Sequence, residues 1–533
     1  MTRPQRTPGA EPSTGELPED TAVAVSPHTL ASQTALDVLA AGGNAVDAAV
    51  AMNAVLGVVL PDTCGPGGDL FALVHVPGED TPLALNSSGR AGSGADAATL
   101  RAAGHTSMPV QTHHAVTVPG CVDGWTTLIE RLGNLDLDAV LEPAIRIASE
   151  GFAVSPELHR SLARYHDRIG DQPAAAELYP EGAPPDPGTG LERPQMAATL
   201  RTLAGGGRAA FFSGPVGRGI MAATRGLITS DDLATNQSTW IDPVGLDLFD
   251  RRGWTIPPNS QGYQTLATLW IFEQLDPPSD PNDPAYQHAL IEAYRAVAHE
   301  RADVVSDQAT APLPPEELVS PERLGERLAL LSDNRRASWP AAGAAPGGTA
   351  YMCVLDAAGV GVSLIQSNFW GIGSGLSAGA TGVWLQNRGG GFDLRQGHPN
   401  ELTPGRRPLH TLVPTIWTRG GALDLILGTR GGDHQPQLLA QLAAHHFHGS
   451  LGTDDSQSLP RWSIDQFGSE EPPVVVEARF APNTLRGLEQ RGHIVNPVDP
   501  WQPGWGPVSA IDASGPIKGS ADPRVSTSAA LSA

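Results

Sequence analysis

Apolar residues recur along this chain with two different periods, and the change from one to the other falls near residue 349. From Ser26 the text S-P-H-T-L-A-S-Q-T-A-L-D-V-L-A-A-G-G-N-A-V-D-A-A-V-A-M-N-A-V-L-G-V-V-L-P reads as a helical hairpin. Ser26 is its cap, Pro27 takes the first helical position, and Gly42-Gly43 closes the first helix. The second helix is apolar nearly all round, which requires burial. A glycine turn then leads through T-C-G-P-G-G-D-L-F-A-L-V-H-V (63–76) into an alternating strand that ends at Gly78. Residues 130–310 read as mainly helical, with proline-rich breaks at 183–194 and 273–284; H-A-L-I-E-A-Y-R-A-V-A-H-E-R-A-D (288–303) has the clearest amphipathic period. Next, A-P-L-P-P-E-E-L and S-W-P-A-A-G-A-A-P-G-G flank one short helix over Pro321–Leu331 and read as mobile. After Thr349 the period drops to two, in Y-M-C-V-L-D, V-G-V-S-L-I-Q-S, T-G-V-W-L-Q-N and L-D-L-I-L-G, separated by glycine turns. Helical text returns at Gln437–His448, and no internal repeat is found.

At 533 residues with 40% hydrophobic content, the chain can bury two or three domains or one large α/β body built from two halves. Acidic residues outnumber basic ones by 57 to 34, for a formal charge of −23, and no basic cluster could follow a phosphate backbone. Nucleic acid is therefore excluded as the expected partner. The longest apolar stretch, Ala45–Leu60, is broken by Asp47 and Asn53 and is shorter than the roughly 20 residues that cross a bilayer. Residues 1–21 read as a disordered tail without the apolar core of a secretory signal, so the expectation is a soluble, cytoplasmic protein. Cys64, Cys121 and Cys353 are widely spaced and odd in number, which fits reduced, packed thiols rather than a disulfide framework.

The stretch A-P-G-G-T-A-Y-M-C-V-L-D (345–356) drops from a proline- and glycine-rich leader into a strand at Thr349. A threonine hydroxyl needs a base beside it, and the residue's own α-amine can serve once the preceding peptide bond is cut. A flexible leader ending at Gly348, followed by a rigid strand, suits such a cut. On spacing alone, however, a plain loop-to-strand junction explains the same text.

Further segments change that balance. G-G-N-A-V-D-A-A-V-A (42–51), G-P-G-G-D (65–69), V-P-G (118–120), P-P-N-S-Q-G (257–262), G-R-R-P-L-H-T-L-V-P-T (405–415) and G-T-R-G-G (428–432) stand in an order and spacing that resemble the γ-glutamyltransferase family of N-terminal nucleophile hydrolases, from about Ser26 to the C-terminal region. The resemblance implies a four-layer αββα architecture of mixed helix and sheet. It implies cleavage between Gly348 and Thr349, giving a 22–348 segment that ends in a flexible linker (309–348) and a 349–533 segment, interleaved as a heterodimer with further oligomerisation left open. It implies that Thr349, seven residues before Asp356, is the nucleophile, and that Ser367 is the hydroxyl that orients it. Gly431 and Gly432 would supply oxyanion N–H groups. Arg90 would hold a substrate carboxylate as a fork. A small-molecule amide is the implied substrate, and no metal or cofactor is called for.

The match also departs from the family. The acidic residue that grips a glutamyl α-amine is replaced by Gly391 in N-R-G-G-G-F (387–392), and Arg388 stands where a polar amide is usual. The paired serines after R-P-L are His410 and Thr411, and D-H-Q-P-Q (433–437) follows the glycine pair. These departures resemble a sub-branch that includes amidases of small acids such as oxamate, and Arg388 with Arg90 suits an anionic acyl group that lacks an amine. The expected activity is cleavage of a γ-glutamyl or similar carboxylate-bearing acyl amide through a threonyl acyl-enzyme. Alternatives are an oxamate-type amidohydrolase without γ-glutamyl transfer and an unprocessed ligand-binding relative. Two rival motifs carry little: G-L-S-A-G (375–379) lacks the strand–turn–helix context of a serine elbow, and H-H-F-H (445–448) lacks metal-ligand spacing.

Overall fold

The computed structural model describes residues 21–339, 347–464 and 472–533. Two antiparallel sheets are stacked face to face between two helical layers. The first, seven-stranded sheet runs Ala529–Ser532, Val23–Ser26, Gly348–Leu355, Gly361–Phe369, Asp69–His75, Leu83–Ser87 and Thr239–Ile241. The second, six-stranded sheet runs Lys518–Ala521, Val508–Asp512, Ala422–Thr429, Thr415–Arg419, Arg251–Thr255 and Val244–Leu248. Each sheet thus contains strands from both sides of residue 348, interleaved in the first sheet and joined at one seam, Thr415–Arg419 against Arg251–Thr255, in the second. Cutting the chain there would leave the ladders Val23↔Leu355, Ser363↔Leu73 and Ile416↔Trp254 in place.

Strand alternation explains the layers. On Gly348–Leu355, Ala350, Met352 and Val354 face the first helical layer, while Tyr351, Cys353 and Leu355 enter the core between the sheets with Ile365, Ile416, Ile426 and Ile511. The helix Ala45–Val59 is buried at every position against the outer face of the first sheet. The helices Tyr263–Leu275, Pro284–Ala298 and Gln435–Phe447 cover the second. This is the αββα arrangement, and among the described residues no helix is long and apolar enough to cross a membrane.

Asp356 closes the far end of the Thr349 strand. Its Oδ1 accepts from Ala358 and Val360 N–H, both at 3.0 Å, and its Oδ2 accepts from Ala45 N at 2.9 Å. One carboxylate therefore locks the turn after the strand and ties it to the start of the buried helix.

Several expectations need correction. Ser26 ends a strand, and His28 caps the helix Thr29–Ala40 through its Nδ1. The region 130–310 contains three strands between Thr239 and Thr255; V-G-L-D-L alternates with period two and was legible as such. The segment 288–303 is split into Pro284–Ala298 and Arg301–Val304. T-G-V-W-L-Q-N forms only an isolated bridge, Ser377↔Trp384, because its backbone serves the loop around Gly67 and Gly373 rather than a sheet. Of the region read as a mobile linker, residues up to 339 carry the short helices Pro315–Leu318 and Pro321–Leu328, with Leu318, Val319 and Leu324 buried under the second core. Residues 340–346 of it lie outside the described residues, as does 1–20 of the expected tail, while Thr21 is buried at the entry to the first strand. All three cysteines are buried and free.

Two outcomes follow from this packing. A Cβ at Gly428 would stand 2.1 Å from the Tyr351 ring, whose hydroxyl hydrogen-bonds to Ser363 Oγ at 2.8 Å. Gly428→Ala is expected to destabilise by about 1–3 kcal/mol, the usual cost of overpacking, and an unchanged chemical-denaturation midpoint would contradict this contact. The second concerns acid. Burial pushes His28 down to about 4 and His445 down to about 3. An unfolded chain binds protons on these rings near 6.5 and the folded one does not, so full stability is present above that value and is lost as the pH falls towards the folded values. Each ring steepens the decline by up to about 1.4 kcal/mol per pH unit, and urea midpoints that do not fall between pH 7 and 4.5 would refute the assignment.

Candidate active site

Thr349 is the second residue of its strand and is 3% exposed. Its partner strand Gly361–Phe369 shifts register between Gln366 and Phe369, and the irregularity turns Ser367 towards Thr349. Thr349 Oγ1 donates to Ser367 Oγ at 3.2 Å. Ser367 in turn donates to the Gly348 carbonyl at 2.5 Å, and its oxygen also accepts from Phe369 N at 2.7 Å. Arg388 Nη2 approaches the same oxygen at 3.5 Å. The nucleophile candidate, its neighbour and the carbonyl of the peptide bond before it therefore share one hydroxyl.

Glycines make the approach possible. A Cβ at Gly347 would meet Gly432 Cα at 2.9 Å. A Cβ at Gly348 would sit 3.3 Å from Asp62 O and 3.4 Å from Gly371 N. Gly431 and Gly432 adopt φ values of 136° and 59°, which favour glycine, at the turn between the strand Ala422–Thr429 and the helix Gln435–Phe447. Both residues are buried, His434 N donates to Gly431 O at 3.0 Å, and neither glycine amide donates to a protein acceptor among the described residues. Buried N–H groups normally find partners, so this pair is suited to an incoming oxyanion.

Arg388 is fully buried, in a short helical turn, with its guanidinium 3.9 Å above the centre of the Phe369 ring. Nη1 donates to Thr411 Oγ1 at 3.0 Å, Nε has no partner among the described residues, and no carboxylate there forms an ion pair with it. Burial lowers its pKa to about 9, opposed by the charges of Asp69 and Asp433.

His410 follows the same loop but is used up internally. Its Nε2 donates to Asp69 Oδ2 at 3.1 Å and its Nδ1 accepts from Leu412 N at 3.3 Å. Burial, reinforced by the nearby Arg388, drives its pKa down to about 3 against the pull of Asp69, so the ring is neutral. Asp69 also accepts from Gly89 N at 2.8 Å and from Gln386 Nε2 at 2.9 Å. Arg90 is half-buried, its Nη1 3.3 Å from Gln237 Oε1, and among the described residues no hydrogen bond or ion pair joins it to Thr349, Ser367 or Arg388. The geometry thus brings Gly348, Thr349, Ser367, Arg388 and Thr411 into one hydrogen-bonded group beside Gly432, with His410 behind it and Arg90 apart.

Asp69, Gln386, Gln261, Arg301 and Asp433 complete the surroundings and received no role from sequence reasoning. Asp69 and Gln261 stand inside G-P-G-G-D and P-P-N-S-Q-G, Gln386 lies in T-G-V-W-L-Q-N and Asp433 opens D-H-Q-P-Q, and that placement was the available signal. No group of described residues could hold a metal ion; His446 and His448 bond the carbonyls of Leu451 and Pro277, both at 2.8 Å.

Comparison with known proteins identifies the family and the fold. The family model described as gamma-glutamyltranspeptidase matches residues 31–532. The glutathione hydrolase-like YwrD proenzyme of Bacillus subtilis is 35% identical over 94% of this chain and 96% of its own length. The oxamate amidohydrolase proenzyme of Klebsiella pneumoniae is 34% identical over 95% of this chain and 98% of its own. The crystal structure of cephalosporin acylase from Bacillus halodurans superposes with a TM-score of 0.90 at 30% identity, covering 100% of this chain and 99% of that one. With the family model matched over nearly the whole chain and these relatives covered almost end to end, the chain belongs to the gamma-glutamyltranspeptidase family of amide-hydrolysing N-terminal nucleophile enzymes.

Proposed function

We propose that this protein cuts itself between Gly348 and Thr349 and then hydrolyses the amide of a short acyl group that carries a carboxylate. The observation that carries the substrate class is Arg388, a fully buried guanidinium with no ion pair among the described residues. A buried charge without a counter-ion is costly, and a substrate carboxylate relieves that cost on binding.

In the first step Thr349 Oγ attacks the Gly348 carbonyl carbon. Its proton passes to the Ser367 oxygen while the Ser367 proton passes to the carbonyl oxygen, a route supported by the 3.2 and 2.5 Å contacts on either side of that hydroxyl. The C–N bond then breaks and the nitrogen takes the proton from the carbonyl oxygen, which frees the Thr349 α-amine and leaves Gly348 as an ester on Oγ; water hydrolyses that ester, releasing the Gly348 carboxylate and restoring the hydroxyl. That amine, with a pKa near 8, is the base for the second reaction. Thr349 Oγ attacks the substrate amide, the Gly431 and Gly432 N–H groups hold the oxyanion, the amine departs, and water resolves the acyl-enzyme.

Only the Ser367 hydroxyl separates Thr349 from Arg388, so a carboxylate held there lies close to the scissile carbonyl. This favours an oxamate-like acyl group over a γ-glutamyl one. Gly391 adds to the case. A Cβ there would stand 2.4 Å from Leu409 O, so an acidic side chain able to grip a glutamyl amine does not fit without backbone movement. We assign Thr411 to orienting Arg388, His410 to holding the loop, and Arg90 to the outer rim of the site.

The test is ammonia release from oxamate, succinamate and neutral acetamide, beside γ-glutamyl-p-nitroanilide, by wild type and Arg388→Gln. Oxamate should be preferred over acetamide by about a hundredfold, and Arg388→Gln should lose most of that preference, in line with about 1.5–3 kcal/mol for a charged hydrogen bond. Efficient γ-glutamyl cleavage, or a wild type indifferent to the carboxylate, would overturn the substrate class.

A further inference from the structure

Two loops of the 349–533 segment carry the proposed chemistry. One presents Thr411 to Arg388, and the other presents the Gly431 and Gly432 amides. A single side chain from the 22–348 segment joins them. Gln261 is fully buried, and its Nε2 donates to Thr411 O at 3.0 Å and to Gly432 O at 3.2 Å. Its Oε1 accepts from Arg301 Nη1 at 2.7 Å, and that same nitrogen lies 2.6 Å from Asp433 Oδ1. Its backbone N–H donates to His410 O at 3.0 Å. A side-chain amide has two donor hydrogens and one acceptor oxygen, and here all three groups are committed to this junction.

The consequence is geometric. The His434 N–H fixes the Gly431 carbonyl, whose peptide plane also contains the Gly432 amide. Gln261, together with the Gln435 backbone N–H, fixes the Gly432 carbonyl, in the next plane. Between two pinned planes Gly432 has little freedom, although a glycine at φ 59° is otherwise among the most mobile residues of a chain. Oxyanion donors act only within a few tenths of an ångström of the right place, and displacement by about 1 Å costs on the order of a hundredfold in rate. Arg301 holds the junction from behind, pairing with the residue that follows the glycines while steering the Gln261 amide so that its donors face the two carbonyls.

We infer that Gln261 and Arg301 are positioning residues of the acyl-transfer step: they set the Gly432 amide and the Thr411 loop without touching substrate. The inference rests on the proposed amide hydrolysis. It also gives the 22–348 segment a part in setting the oxyanion donors, which belong to the other segment.

The experiment measures kcat and KM for processed wild type, Gln261→Glu, Gln261→Ala, Arg301→Ala and Arg301→Lys on the amide that wild type cleaves best, with active sites counted by the acyl-enzyme burst. Gln261→Glu places acceptor oxygens against two carbonyls. It should lower kcat about 10- to 100-fold per active site, with KM changed by less than about threefold. Arg301→Ala should fall similarly, and Arg301→Lys, which keeps the charge beside Asp433, should recover most of the rate. A merely structural role would lower the thermal midpoint and the number of active sites while leaving kcat per site unchanged, and that result overturns the inference. If Gln261→Glu does not fold, Gln261→Ala and Arg301→Ala give the same reading. An active wild type with unaffected variants refutes the positioning role alone, whereas a wild type with no amide hydrolysis removes the functional reading and this inference together.

Discussion

One hydroxyl organises the centre of this molecule. Ser367 Oγ has a single proton to give, and the Gly348 carbonyl takes it at 2.5 Å, while the Thr349 hydroxyl, the Phe369 amide and the Arg388 guanidinium converge on its oxygen. With so many donors inward and one outward, the directions of the Thr349 and Ser367 hydroxyl protons are determined. The constraint reaches the sheets, since Ser367 and Thr349 meet only because the two strands lose register for a few residues after six regular pairs from Gly361↔Leu355 to Gln366↔Ala350. It also reaches the outer layers, because Asp356, just past the far end of the Thr349 strand, accepts from Ala45 N at the start of the buried helix.

Around that hydroxyl the structure places charge where solvent cannot reach it. Arg388 and Asp69 are both buried, yet they do not form an ion pair; His410, kept neutral, stands on Asp69, and Thr411 stands on Arg388. A direct pair would satisfy both charges and leave nothing for a ligand. Keeping them apart leaves Asp69 satisfied by Gly89, Gln386 and His410 and leaves the cation without a counter-ion among the described residues, the condition on which the proposed carboxylate specificity rests.

How much of this was legible in the sequence follows the range of the interactions. Three of the four alternating segments after Thr349 and the nearly all-apolar helix Ala45–Val59 are local patterns that appear where they were read. The glycine turn 65–69 was visible as a motif, but its reason is long-range: a Cβ at Gly67 would stand 2.0 Å from Trp384 O, and one at Gly68 2.4 Å from Ser367 O. T-G-V-W-L-Q-N alternates like a strand and is not one, because contacts with that same turn override its propensity. Resemblance pointed to Thr349, Ser367 and the glycine pair as a set, but gave no role to Gln261, although it stands in P-P-N-S-Q-G, or to Arg301; both acquire meaning only through partners about 130 to 170 positions away.

The account turns on Thr349 acquiring a free amine. Intact mass and N-terminal sequencing of the purified protein, beside Thr349→Ala, test this most directly. Two tightly associated fragments in wild type, one beginning at Thr349, with the variant left as a single chain, is the result expected from the Ser367 contacts. A wild-type chain that stays whole at 55.5 kDa, or one cut elsewhere, would contradict it.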